Sequence, residues 1–455
     1  MQSQPHQAFK IIEGDVTEVL KTLPDNFFDA VLSDPPYGIS FMGKAWDRGV
    51  PSSSTYKELA RVLKPGAFGL HFGGTRMWHR LALNLEDAGF ELRDTVMWLY
   101  GSGFPKSHNI SKALDKVAGA KPMDLGPHPT INGAGPGMDN FFHGGFSKEG
   151  PRLTAPATEA AKTWNGYGTA LKPAWEPALL VQKPLDKTFA NNALAWGSGG
   201  LNIEGCRVGF ASEADREESV AKNQHADFGT KPMTGNNSYG DWSMVQPANY
   251  QPTGRFPANL ILDEEAGRAL DEQSGIRPAG NFPTARGVSH IGFASGQATE
   301  GGARKMTDQG GASRFFYCAK VSSRERNAGL GEEFEDDQMY GEDGATFNGL
   351  SNTRNPSKNF HPTLKPIALT EYLAKLLLVP ERKPTRDIYG NEVKAPRRIL
   401  VPFSGAGSEM IGCLKAGWDE VWGIEIDEEY IGIAMARIAY NCPTATPLKG
   451  LDKAA

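Results

Sequence analysis

The chain has 455 residues, enough for two or three domains around a large core. Its formal net charge is -5, with 39% apolar and 22% charged residues, so a globally basic nucleic-acid coat is excluded and any such contact must come from local patches. No run approaches the roughly 18 apolar residues of a membrane helix, and the N-terminus carries no secretory pattern. Cys206, Cys318, Cys413 and Cys442 are scattered without a CxxC pair; neither a metal site nor a disulfide framework is expected, and the chain reads as cytoplasmic.

Ala8 to Ile12 is an apolar strand ending at Glu13-Gly14-Asp15, and Val16 to Leu23 a short amphipathic helix. Asp15 stands near a strand's carboxyl end, where it is either a helix cap or part of a ligand crevice. Asp29-Ala30-Val31-Leu32-Ser33 is a second buried strand, stopped by Asp34-Pro35-Pro36-Tyr37. Two prolines lack N–H groups and cannot continue a ladder, so they make a rigid turn where open α/β sheets place their ligands. That turn offers a carboxylate, carbonyls free of competing N–H groups, and an aromatic face. These parts suit an amino group on a flat ring.

Helices are predicted over Tyr56–Leu63, ended by Lys64-Pro65-Gly66, and over Thr75–Ala88, and strands over Ala67–Phe72 and Phe90–Tyr100. The alternation implies a mostly parallel sheet covered by helices on both faces. Periodicity fails over residues 101–173, which reads as a loop or insertion preceded by a mildly basic run of Lys106, His108, Lys112 and Lys116. Ala174 to Val181 restores a strand; its Trp175-Glu176-Pro177 start is read as core packing rather than as part of a pocket.

Residues 187–350 hold only short predicted strands (Leu201–Ile203, Asn259–Leu262, Arg314–Cys318) among Gly/Asn/Ser-rich loops. Residues 191–350 contain 14 Lys/Arg against 22 Asp/Glu, a net of -8, yet residues 274–330 contain 8 Lys/Arg against 3 Asp/Glu. The basic set there is Arg277, Arg286, Arg304, Lys305, Arg314, Lys320, Arg324 and Arg326. It is either a duplex contact or an ordinary solvated surface.

His361-Pro362-Thr363-Leu364-Lys365-Pro366 opens a helix over Ile367–Leu378, whose first amides, with Thr363 and Lys365, either hold an anion such as a carboxylate or make an ordinary capped helix start. Arg398 to Pro402 is a buried strand, and Phe403-Ser404-Gly405-Ala406-Gly407 a glycine turn into a helix ended by Gly417. The next strand ends in Glu425. Strand, glycine turn, helix, strand and terminal acid form a nucleoside-binding half, the acid placed for ribose hydroxyls.

In this order the segments resemble the β-class amino-group (N6-adenine/N4-cytosine) DNA methyltransferases. The resemblance covers roughly residues 1–100, 174–186 and 359–440. It implies an α/β, Rossmann-like, S-adenosylmethionine-dependent methyltransferase fold, circularly permuted, with an irregular target-recognition region inserted. Residues 1–186 would form the target-base part, 187–358 the recognition region, and 359–455 the cofactor part. By the same resemblance Asp34, Pro35, Pro36 and Tyr37 are catalytic. Asp15, Asp34, Thr363, Lys365, Phe403, Ser404, Gly405, Gly407 and Glu425 bind the cofactor, and Arg277, Arg286, Arg304, Lys305, Arg314, Lys320 and Arg324 contact DNA. The implied substrate is double-stranded DNA, its target base flipped from the stack, and a homodimer is expected. Asp at the head of the tetrapeptide favours adenine N6 over cytosine N4. A non-catalytic DNA-binding regulator of the same fold is the alternative from another class.

Overall fold

A computed structural model of the chain describes residues 7–38, 49–101, 103, 107–127, 152–222, 233–237, 240–244, 252–278, 282–283, 303–304, 309–319, 325, 328–330, 364–386 and 392–448. Two units are distinguished: Met1–Gly101, Trp175–Glu325 and His361–Ala455 form one, Ser102–Ala174 and Arg326–Phe360 the other.

The larger unit carries a ten-stranded sheet. Its strands in chain order are β1 (Ala8–Glu13), β2 (Phe28–Ser33), β3 (Leu63–Phe72), β4 (Glu91–Leu99), β5 (Trp175–Gln182), β6 (Leu260–Asp263), β7 (Tyr317–Ala319), β8 (Arg398–Pro402), β9 (Glu420–Glu425) and β10 (Thr446–Pro447). Across the sheet they run β7-β6-β4-β5-β3-β2-β8-β9-β1-β10. Every pairing is parallel except those of β5, which runs against both β3 and β4. The mixed α/β, mostly parallel, Rossmann-like sheet expected from the alternating elements is present.

The connections fix where a crevice must lie. From β2 the chain passes through the helix Ser53–Val62 to β3, on one side. From β8 it passes through the helix Ser408–Ala416 to β9, on the other. β2 and β8 are neighbours, with Ala30 opposite Ile399 and Val31 opposite Leu400. The winding therefore reverses between them, and their carboxyl ends flank the topological switch point.

Both faces of the sheet are buried. On one, Leu369 and Leu373 of the helix Ile367–Leu377 pack with Met410, Leu414 and Ile438 against Leu32, Leu70 and Val401. On the other, Val19, Leu20, Tyr56, Leu59, Leu81 and Leu85 cover Val31, Leu179 and Leu400. Each fully buried leucine is worth about 2 kcal/mol relative to exposure. Ile367–Leu377 and Ser408–Ala416 approach closely at Gly412: a Cβ there would lie 2.3 Å from Thr370 Oγ1 and 2.6 Å from its backbone carbonyl carbon.

Three local expectations change. Lys64-Pro65-Gly66, expected only to end the preceding helix, is absorbed into β3 as a bulge, because β2 pairs Phe28 with Leu63 and then Ala30 with Phe68. Leu201–Ile203 is not a strand; Asn202 caps the end of the helix Ile367–Leu377, its N–H donating to Leu376 O at 2.8 Å. Arg314 belongs to a 3₁₀ turn, Ala312–Phe315, and the strand follows at Tyr317.

The smaller unit contains the helix Ile110–Val117, a hairpin of Met123–Pro127 with Arg152–Ala155, and the helix Glu159–Thr163. Among the described residues no helix is long and apolar enough to cross a membrane.

Candidate active site at the switch point

Asp34, Pro35, Pro36 and Tyr37 leave the end of β2 as an irregular corner, and Tyr37 turns back so that its hydroxyl donates to Asp34 Oδ1 at 2.8 Å. The other carboxylate oxygen accepts from Lys365 Nζ at 2.7 Å, and the same ammonium donates to the Tyr37 hydroxyl oxygen at 2.9 Å. Lys365 stands just before the helix Ile367–Leu377, 5% exposed, with its charge over the rings of Phe72 (4.7 Å) and Tyr37 (5.4 Å). Burial alone would lower its pKa; the Asp34 and Glu176 carboxylates outweigh that and raise it, so it stays an ammonium. The same burial, with Asp34 and Glu176 beside it, holds the Tyr37 phenol well above its ordinary range.

Two acids that the sequence did not single out as functional complete this cluster. Glu176, on β5, lies 3.4 Å from Lys365 Nζ, and burial raises its pKa despite that ammonium. Glu409, in the first turn of Ser408–Ala416, is 5% exposed; burial first, then the charge of Asp34, pushes its carboxyl up to about 7. Their sequence distances from Asp34 leave no local signal. The only hint was the Glu176-Pro177 pair at a strand start.

The second corner lies at the end of β8. Phe403 has φ +61°, a left-handed conformation seldom adopted by a side chain of that size, and Gly405 and Gly407 follow at +48° and +80°. Gly407 forms the N-cap of Ser408–Ala416 without a side-chain cap hydrogen bond. The turn is braced from below: Arg437, 1% exposed, donates to Ala406 O and, at 3.1 Å, to Ser408 Oγ. Glu425, at the tip of β9, accepts from the amides of Gly405 (2.7 Å), Ile426 and Asp427 (both 3.0 Å). Burial raises its pKa against the pull of those three donors.

Asp15 lies one strand further along the same edge. It is exposed and caps the helix Val16–Thr22, accepting from Thr17 N at 2.9 Å and Glu18 N at 3.2 Å. The amide before it, that of Gly14, donates to Glu425 O at 2.9 Å, which ties the tips of β1 and β9 together. The anion expected at the start of Ile367–Leu377 is supplied by the chain itself, since Ile367 N donates to Glu325 Oε2 at 3.1 Å.

The larger unit thus brings Asp34, Pro35, Pro36, Tyr37 and Lys365 to the end of β2, and Phe403, Ser404, Gly405, Gly407 and Glu425 to the ends of β8 and β9. Thr363 lies outside the described residues, as do Arg286, Lys305, Lys320, Arg324 and Arg326. Arg277 and Arg304 sit in two-residue ladders described by backbone alone. Arg314 is half-buried, its guanidinium over the ring of Phe315 at 4.9 Å. Among the described residues no group of three His, Cys, Asp or Glu side chains is arranged to hold a metal ion.

No protein-family model matches the chain. A 116-residue segment is 36% identical to the uncharacterized protein MJ1233 of Methanocaldococcus jannaschii, spanning 25% of this chain and 35% of that protein, so the chain matches about a third of its relative's length. Solved structures with some likeness include PvuII DNA methyltransferase (cytosine-N4-specific), at 11% identity and TM-score 0.37 over 98% of this chain and 99% of that one. The M1.HpyAVI–SAM complex is 13% identical, at TM-score 0.34 over 94% and 98%. The putative DNA modification methylase TTHA0409 of Thermus thermophilus, complexed with S-adenosyl-L-methionine, is 13% identical, at TM-score 0.34 over 97% and 99%. Likenesses at these scores carry no argument; the sheet order and the two corners do.

Proposed function

We propose that the chain is a site-specific, S-adenosylmethionine-dependent DNA methyltransferase acting on an exocyclic amino group, adenine N6 in preference to cytosine N4. The observation that carries this reading is the adjacency of the two corners: the Asp34–Tyr37 turn and the Phe403–Gly407 turn leave paired neighbouring strands at the point where the winding reverses.

The residues present fit the cofactor. The Phe403–Gly407 turn has two glycines at positive φ, and the helix that follows has no side-chain cap at its first amides, which suits a carboxylate. Glu425 stands at the next strand tip for ribose hydroxyls, with Asp15 beyond it for the adenine edge. When bound, the cofactor supplies an electrophilic methyl group on a positively charged sulfur. Asp34 and Glu176 share one ammonium, Lys365, and Glu409, its carboxyl raised to about 7, feels Asp34 as well as the Lys365 and Arg437 charges; this acid-rich corner favours a cationic ligand.

The target base is flipped from the duplex into the corner, and Tyr37 stacks on it. Each oxygen of the Asp34 carboxylate retains a further lone pair after the bonds from Tyr37 and Lys365, so it can still accept an amino hydrogen. The Pro35 carbonyl accepts the other. These acceptors draw the nitrogen lone pair out of ring conjugation and hold it toward the methyl donor, so that positioning does most of the chemistry. Lys365 fixes Asp34 and Tyr37 in one geometry. A homodimer, one subunit steadying the other's DNA, belongs to the same reading and is tested by sedimentation with and without duplex.

The deciding experiment is base-resolution mapping of methylation after expression in a host lacking adenine methylation. N6-methyladenine in one sequence context is expected. N4-methylcytosine would correct the base, and binding of duplex without any transfer would support the regulator instead.

A further inference from the structure

Of the basic run that begins at Lys106, the structure describes His108, Lys112 and Lys116. In the smaller unit Lys112 and Lys116 lie on one face of the helix Ile110–Val117, one turn apart and exposed, with exposed Lys121 just beyond. None of the three forms an ion pair among the described residues. The acids nearby are already engaged: Asp124 pairs with Arg152 at 2.6 Å and Glu159 with Lys162 at 2.7 Å. Asp115, on the helix's inner face, accepts from Ala157 N, Thr158 N and Thr158 Oγ1 at 2.8–3.0 Å.

The turn after the helix Glu159–Thr163 carries an exposed aromatic pair. Trp164 and Tyr167 are 45% and 59% exposed, edge to face with centroids 5.2 Å apart. Their turn is pinned to the start of the lysine helix: Ile110 N donates to Tyr167 O at 3.3 Å, Thr169 N to Ser107 Oγ at 2.8 Å, and His108 N to Thr169 Oγ1 at 3.0 Å. The lysine helix and the aromatic turn therefore belong to one small framework. Residues 102–174 contain 8 Lys/Arg against 5 Asp/Glu, net +3, whereas residues 191–350 are net -8.

We infer that the face formed by Lys112, Lys116, Lys121, Trp164 and Tyr167 is a DNA-contacting surface that grips the sugar–phosphate backbone of the duplex substrate. Exposed cations and flat exposed rings on one framework suit a polyanion that carries flat bases. The inference rests on the reading of the chain as an enzyme of duplex DNA.

The test uses the full chain, a fluorescent duplex that contains the methylated sequence, and titrations at several salt concentrations. The double variant Lys112→Glu, Lys116→Glu should weaken duplex binding about tenfold or more. The slope of log affinity against log salt should fall by about two, one for each lost phosphate contact. The milder pair Lys112→Gln, Lys116→Gln should give a smaller loss of affinity and nearly the same slope change, and Trp164→Ala should weaken binding with the slope retained. Affinity for S-adenosylmethionine and the melting temperature should be unchanged in each. Unchanged duplex affinity and slope in both lysine pairs, with the parent binding and methylating duplex, would overturn this surface while leaving the crevice reading intact. A parent that neither binds nor methylates duplex would overturn both.

Discussion

Strand β2 begins beside one carboxylate and ends beside another, and their surroundings are opposite. Asp29, at its amino end, is sealed from solvent and matched by cations: Lys64 Nζ at 2.6 Å and the Arg382 guanidinium hold one oxygen, while the Arg398 amide donates to the other at 2.8 Å. Nearby, Arg397 grips Asp419 and Arg398 grips Glu420 at 2.8 and 2.7 Å. At the carboxyl end Asp34 and Glu176 share Lys365, and the buried Glu409 adds a third acid whose carboxyl is raised to about 7. One end of the sheet has its charges paired and serves as a clamp between β2 and β8. The other has acids in excess and is built to receive a positive or hydrogen-donating group. Burial of an acid does not by itself mark function; the local balance of charge does.

Substitutions can break this contrast one end at a time. Asp34→Ala should cut methyl transfer by at least about a hundredfold, because the amino group loses an acceptor it needs in the transition state. Cofactor affinity should largely survive, and a labelled methyl-transfer assay beside calorimetry checks both. Asp29→Ala should do the reverse: two half-buried cations lose their buried anion, and unfolding in denaturant should reveal a loss of about 3 kcal/mol. The folded fraction should still turn over at the parent rate.

Gly405→Val forces a β-branched residue into φ +48°, at a cost of ~1–2 kcal/mol, and should weaken cofactor binding about tenfold. Equal affinity for the variant would move the cofactor turn elsewhere. The smallest effect belongs to Glu409→Gln. Since the fold raises this carboxyl to about 7, its stabilising contribution is complete below the ordinary carboxylate range and disappears as pH rises through about 7. The glutamine variant should therefore melt higher than the parent at pH 8, the gap closing toward pH 5, as followed by calorimetry.

Much of this was legible in the chain. Two prolines after an apolar run, and glycines between a strand and a helix, are local signals, and they marked the tips of β2 and β8. Other features depend on distant partners. The apolar run of β5 reads like its parallel neighbours, because burial on both faces sets composition and says nothing about direction. The Lys64-Pro65-Gly66 segment has turn chemistry, but Lys64 reaching Asp29 and Gly66 N donating to Lys183 O and Pro184 O at 3.1 Å draw it against the sheet. Glu409 looked like an ordinary acid in a first helical turn. Only its folded surroundings, burial first and then the charge of Asp34, raise its pKa, against the pull of Lys365.

The placement of β1 has a consequence for biosynthesis. It lies between β9 and β10, with Ala8 opposite both Glu420 and Thr446. A ribosome delivers that strand roughly four hundred residues before either flanking partner exists, and contacts so remote along the chain form slowly. The nascent polypeptide must carry an unpaired apolar ribbon until Glu420–Glu425 has been made, and the tips of β1 and β9 can be tied together only then. Re-ordering the gene so that Arg398–Asn441 is made first would let this half of the sheet assemble while the remainder is still being synthesised.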